Sequence, residues 1–318
     1  MSTITTAVIG AGYLGKYHVE KYAQLPKSEF IAVVDSNPQT ARDTADRYGV
    51  EALTDYRDLL ERVDAVSIVV PTRWHFEIAR AFLETGSHVL LEKPITTTVA
   101  QAQQLIDLAR EQQRILQVGH LERFNKAILD LGDYLKQPLF IETHRLAPFK
   151  PRGTDVSVVL DLMIHDIDII LTIVDSPLVH IDASGAAVLS DTVDIANARL
   201  KFASGCVANV TASRISMKTE RKMRIFQNDA YLSVDFHNRE LAIFHKGQGE
   251  LYPGVPNIQN QTFRYQEDDA LKTEIELFLK TIREGTQPIV SGDDGKQALE
   301  AAIQITEMLA GQQNNIKP

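Results

Sequence analysis

Residues 5–24 read TTAVIGAGYLGKYHVEKYAQ, and this stretch decides the fold. Thr5–Ile9 is a short apolar run and reads as a strand. Gly10-Ala11-Gly12-Tyr13-Leu14-Gly15 follows at once, then a helical pattern to about Gln24. A lone G-x-G-x-x-G is a weak signal. Strand, glycine turn and helix together are a strong one, because each glycine has a physical task. Gly10 permits the tight turn, Gly12 lets backbone approach a pyrophosphate, and Gly15 lets the helix pack closely on the strand. The helix N-terminus, with Tyr13 and Leu14 leading into it, then offers free N–H groups to phosphates.

The pattern repeats outward from this unit. Phe30–Val34 is the next strand, and Asp35, 20 residues beyond Gly15, stands where an acidic residue bonds the adenine-ribose hydroxyls. A carboxylate there repels a 2′-phosphate, which favours NAD over NADP. Asp55–Arg62 reads as helical, Asp64–Val70 as a buried strand running into Pro71-Thr72, and Arg73–Thr85 as a helix. His88–Leu91 is a strand that ends in Glu92-Lys93-Pro94. Val99–Gln112 is a helix, and Ile115–Val118 is a strand before Gly119-His120. Strands alternating with helices imply an α/β, doubly wound parallel sheet. Ligands of such sheets sit outside the carboxyl ends of the strands, so these strand-end residues should line one crevice. An ammonium at Lys93 would be placed to hydrogen-bond an alcohol or forming alkoxide. His75 and His120 fit either a cofactor-lining or a structural role.

Composition narrows the function class. The chain has 318 residues, 44% hydrophobic and 24% charged, as in a soluble globular protein. A net charge of −9 argues against general affinity for nucleic acid or anionic membrane. The single Cys206 excludes an intramolecular disulfide and a Cys-rich metal site, and fits a cytoplasmic location. No signal peptide is expected at the N-terminus.

The longest apolar stretch, Val156–Val174, reads as a buried helix carrying four ionisable groups. Asp161, His165 and Asp168 recur at i, i+4 and i+7 and share a face, with Asp166 on another. Such a stripe needs partners, a ligand or a cleft, because burying unpaired charge is costly. It also makes a membrane span improbable. Asp168 reads as a buried structural partner, and Asp166 as reaching out toward a loop or domain junction. No metal site is expected, since further ligands would all have to come from elsewhere.

GAGYLG at 10–15, Asp35, EKP at 92–94 and D-x-x-x-H-x-x-D from Asp161 to Asp168 together resemble the glucose-fructose oxidoreductase / inositol dehydrogenase (Gfo/Idh/MocA) superfamily over nearly the whole chain. The resemblance implies a catalytic group of Lys93, Asp161 and His165, and a cis Lys93–Pro94 peptide. It implies an NAD crevice lined by Gly10, Gly12, Tyr13, Leu14, Gly15, Asp35, Pro71, Thr72, His75, Glu92, Lys93, Pro94, His120 and Arg123. One departure is Met163, where many relatives carry glycine. QVGHLERFN at 117–125, HRLAPFKPRGTD at 144–155 and TASRIS at 211–216 resemble a branch that oxidises nucleotide sugars at C3. That branch implies UDP-N-acetylglucosamine as substrate, oxidised to a keto sugar for an aminotransferase in lipid A diamino-sugar synthesis. A free-sugar or polyol dehydrogenase, and a non-catalytic dinucleotide-binding regulator, are the rival readings.

The remainder fits a second domain, with residues 1–120 binding NAD and 121–318 binding substrate. Glu122–Leu135 reads as a linking helix. From Phe140 to His245 the pattern is mostly strands separated by Gly, Ser and Asn turns, an α+β domain with a large open mixed or antiparallel sheet. Asp269–Glu284 and Gly295–Ala310 read as closing helices. In relatives the open sheet face makes dimer or tetramer contacts. Arg145, Lys150, Arg152, Arg214 and Lys218 are candidates for an anionic ligand, Arg152 and Arg214 foremost, since guanidinium suits a diphosphate. Arg152 and Arg214, with Lys93, Asp161 and His165, make up the expected substrate contacts.

Overall fold

A computed structural model describes residues 3–149, 157–266 and 269–316. Its chain divides into two compact units, Met1–Phe124 with Asp269–Leu299, and Asn125–Asp268 with Glu300–Pro318.

The first unit contains β1 (Ile4–Ile9), α1 (Gly15–Gln24), β2 (Ser28–Val34), α2 (Pro38–Tyr48), β3 (Glu51–Leu53), β4 (Ala65–Ile68), α3 (His75–Glu84), β5 (His88–Glu92), α4 (Val99–Glu111) and β6 (Leu116–Gly119). The six strands are parallel, in the order β3-β2-β1-β4-β5-β6. Strand order reverses between β1 and β4, which opens a crevice at their carboxyl ends. Helices on both faces explain why β4 is buried at every position. Local signals set the boundaries. Asn37 accepts from the Gln39 and Thr40 N–H groups at the start of α2, and Gly49 in the left-handed region ends that helix. The segment expected as a helix at Asp55–Arg62 is only a 3₁₀ turn, Tyr56–Leu59.

The second unit contains α5 (Lys126–Leu129), β7 (Pro138–Leu146), α6 (Ile164–Val174), β8 (Leu178–Ala186), β9 (Ile195–Phe202), β10 (Val207–Ser213), β11 (Glu220–Gln227), β12 (Ala230–Asp235), β13 (Glu240–Tyr252) and β14 (Val255–Arg264). Its eight strands run β14-β13-β12-β11-β7-β10-β9-β8, antiparallel except for the β7–β10 pair, so the sheet is mixed. α6 packs on β7 and β10. Along β7, Ile141, Thr143 and Arg145 are buried while Phe140, Glu142 and His144 alternate with them at partial exposure. One face therefore builds the core, and the other carries an aromatic row of Phe140, Phe226, Tyr231 and Phe244 with ring centroids 5.0–5.8 Å apart.

Two differences from the sequence reading have clear causes. Glu122–Leu135 is not one helix. Asn125 adopts an extended backbone and caps α5, splitting the segment into the 3₁₀ turns Leu121–Phe124 and Asp130–Asp133 on either side of α5. Asp269–Leu299 belongs to the first unit, which a boundary near residue 120 does not capture. Its α7 (Ala270–Glu284) sends Ile275, Phe278 and Leu279 into the same core as Val8, Val19 and Tyr22. α8 (Gly292–Ile316) begins in the first unit and ends in the second. No helix among the described residues is long and apolar enough to cross a membrane.

Candidate active site

The glycine turn has the form its sequence requires. Gly10 sits at φ 95°, where an L side chain is strained, and a Cβ there would collide with the Val69 carbonyl. A Cβ on Gly15 would strike the Gly10 carbonyl, so close approach of α1 to β1 depends on that glycine. Around Gly12 a Cβ would meet nothing within 4 Å. The turn is open on that side, and Tyr13 and Leu14 are exposed beside it. α1 starts without a side-chain cap, and a helix N-terminus at such a turn favours an anion. Asp35, at the end of β2, accepts from the Ala11 N–H at 2.8 Å and from the Asn37 N–H at 2.9 Å. It thereby braces the turn and stands next to it. A dinucleotide fits this cradle: pyrophosphate at the open turn, ribose at Asp35.

The other strand ends are tied to one another by polar side chains. Pro71 and Thr72 start a 3₁₀ turn that leads into His75. His75 is buried, with Nδ1 2.9 Å from the Pro94 carbonyl and Nε2 2.9 Å from the Val70 carbonyl. Burial lowers its pKa, against the raising effect of the two carbonyls that face its ring nitrogens. It pins the end of β4 to the segment after β5. The Lys93–Pro94 peptide is cis, as the resemblance implies. Glu92 Oε1 lies 3.2 Å from His18 Nε2, and Glu92 Oε2 accepts from the Lys93 N–H. Burial would raise the Glu92 carboxyl, but the hydrogen bond and charge of His18, with the charge and N–H of Lys93, outweigh it and hold the group below its ordinary value. His120 is buried, and burial followed by the charges of Lys93 and Arg123 pushes its ring down to about 3, so it is neutral at physiological pH. Arg123 is also buried and donates to the Ile289 carbonyl at 2.9 Å. The sequence reading named neither His18 nor its pairing with Glu92.

In the second unit the polar stripe changes character along its length. Val159–Met163 is a π turn, and α6 continues from it. Asp161 lies inside that turn, and His165 follows in the first turn of α6. Insertions of this kind are frequent at functional sites. Asp161 is exposed, His165 is half-buried and Asp168 is buried. Asp166 does not reach outward. It is 2% exposed, and its carboxylate takes two hydrogen bonds from Arg145, Nε at 3.1 Å and Nη2 at 2.9 Å. Arg145, expected as a ligand for an anion, is thus a core residue whose guanidinium also lies over the Phe236 ring. Arg214 is buried too. It donates to Thr192 Oγ1 and the Val193 carbonyl, with the Asp194 carboxylate 3.4 Å from Nε. Arg152 and Lys150 lie outside the described residues. Among the described residues no cluster of His, Cys, Asp or Glu could hold a metal ion.

Comparison with known proteins adds to this geometry. Residues 4–120 match the profile of the oxidoreductase family with an NAD-binding Rossmann fold, and residues 135–233 match the GFO/IDH/MocA C-terminal domain. The chain is 40% identical over 310 residues to UDP-N-acetylglucosamine 3-dehydrogenase of Acidithiobacillus ferrooxidans, covering 96% of this chain and 97% of that protein. A solved structure of that enzyme superimposes with a TM-score of 0.92 at 39% identity, over 98% of this chain and 99% of the other. Myo-inositol 2-dehydrogenase of Thermotoga maritima is 26% identical over 311 residues, 92% of each chain. The protein described here is a member of the Gfo/Idh/MocA oxidoreductase family, with an NAD-binding Rossmann unit at its N-terminus.

Proposed function

We propose that this protein oxidises the C3 hydroxyl of UDP-N-acetylglucosamine with NAD, giving the 3-keto nucleotide sugar. The observation that carries the proposal is the 40% identity to a UDP-N-acetylglucosamine 3-dehydrogenase along nearly its full length. When bound, NAD supplies the hydride acceptor. His165 takes the proton from the C3 hydroxyl as that carbon gives up its hydride, since imidazole titrates near neutral pH. Asp161 orients His165 or binds a neighbouring hydroxyl. The Lys93 ammonium hydrogen-bonds the reacting oxygen and steadies the negative charge that develops on it. Arg152, with Arg214 second to it, recognises the diphosphate; the internal bonds of Arg214 leave it less guanidinium to offer.

In the same reading the keto sugar passes to an aminotransferase, on the route to a diamino sugar of lipid A in the cytoplasm. The partly exposed sheet face with its aromatic row joins two or four copies. Incubation with NAD and UDP-N-acetylglucosamine, with an aminotransferase and amino donor present to draw off product, tests the assignment by mass detection of a product oxidised at C3. Likeness to an inositol dehydrogenase makes free sugars and inositol the necessary second arm of the screen. Faster turnover of those than of the nucleotide sugar rejects the assignment.

A further inference from the structure

The strongest unexplained feature lies behind the end of β5. Glu274, in the second turn of α7, is 0% exposed, and neither of its carboxyl oxygens has a hydrogen-bond partner among the described residues. Two neighbours share that condition. Gln117 donates from Nε2 to the Glu274 backbone carbonyl at 3.4 Å, while its Oε1 is buried without a partner. His18 places Nε2 beside Glu92 and leaves a buried Nδ1 without a partner. The three residues come from α7, β6 and α1: His18 is bonded to Glu92, Glu274 lies near enough to feel the Glu92 charge, and Gln117 is bonded to the Glu274 backbone. Burial and the nearby negative charge of Glu92 both drive the Glu274 carboxyl well above its ordinary value, which favours the protonated form, able to donate as well as accept. Tyr22, one turn from His18 on α1, bounds the cluster, with its hydroxyl 2.9 Å from Ser67 Oγ.

Buried polar atoms do not stay unbonded; where protein offers no partner, ordered water does. We propose that Glu274 is a positioning residue for Lys93: with Gln117 and His18 it holds ordered water in a buried polar chamber behind β5. That water steadies the Glu92 carboxylate, to which the Lys93 N–H is hydrogen-bonded. Glu274 thus acts on the reaction through Glu92 and never touches substrate. The inference rests on the reading that Lys93 polarises the reacting oxygen.

Steady-state kinetics of the full chain with NAD and UDP-N-acetylglucosamine test it, using Glu274→Leu, Glu274→Gln, Gln117→Met and Lys93→Ala, and a Lys93→Ala/Glu274→Leu double variant. Glu274→Leu keeps the volume and removes the polar atoms. It should lower kcat about tenfold while the KM for NAD stays within about twofold. Glu274→Gln, which keeps a neutral donor and acceptor, should restore kcat to within about threefold of the native value. In the Lys93→Ala background the leucine substitution should cause no further loss, because the two residues act in one chain. If Glu274→Leu does not fold, Gln117→Met carries the same expectation of a lower kcat at constant KM. Native kcat in Glu274→Leu or Gln117→Met, or an equal loss with and without Lys93, overturns the inference. Native kcat in Lys93→Ala alone instead removes the Lys93 reading on which it rests.

Discussion

The crevice of the first unit and the charged helix of the second hold their functional groups in opposite ways. In the first, the grip is mostly on backbone: glycines set the turn, the Asp35 side chain takes the Ala11 N–H, and the His75 ring spans two carbonyls. In the second, side chains hold side chains. α6 keeps its place against β7 in part through one buried ion pair, Arg145–Asp166, while Asp161 is exposed and His165 half-buried. A backbone cradle suits a cofactor whose shape does not vary. On the proposed assignment, a helix braced from behind carries on its other face the groups that meet a substrate.

The contrast breaks first at His165. If the front face carries the base, His165→Asn should lower kcat by about 10²–10⁴-fold with the fold intact, since general-base catalysis contributes on that order. Circular dichroism and NAD binding of the variant should match the native protein, and near-normal turnover would refute the role. The rear of the same helix should respond in stability. Arg145→Ala removes the guanidinium that bonds the buried Asp166 carboxylate twice, which costs about 3–5 kcal/mol in denaturant unfolding. Replacing both partners with apolar residues, Arg145→Met with Asp166→Leu, should recover much of that loss. On the backbone-held side, Lys93→Ala should lower kcat by about 10²–10³-fold, the usual effect of losing one donor to a developing oxyanion. The affinity for NAD should change far less.

The same contrast explains what the sequence made legible. Backbone requirements leave marks at fixed spacing, so Gly10, Gly15, Asp35 and the parallel sheet could be read from residues 5–120. Partners distant in sequence left weaker marks. Nothing near Asp166 announces Arg145, and nothing near Glu92 announces His18. Glu274 did leave a trace: it occupies a core position in the apolar series Leu271, Ile275, Phe278, Leu279 and Ile282 of α7, where a charged residue has no ordinary place. β14 was missed because it is exposed along almost its whole length, which removes the alternation that marks a strand. The π turn at Val159–Met163 could not be seen, because side-chain periodicity assumes a regular helix.

The smallest expected effect separates holding by backbone from holding by charge within the second unit itself. Asp194 accepts from the Val188, Leu189 and Ser190 N–H groups and from Ser190 Oγ. Burial opposes its ionisation, but these bonds prevail and hold its pKa at about 2, against an ordinary 3.8. The folded-state value is depressed, so the stabilisation is complete above the ordinary pKa and is lost as pH falls from about 4 toward about 2. Its size at neutral pH is about 2 kcal/mol. Asp194→Asn should therefore unfold at lower temperature than the native protein at pH 7, and the difference between them should shrink as pH drops through that window. A difference that stays constant with pH would mean that the loop is held by the shape of the side chain and owes nothing to its charge.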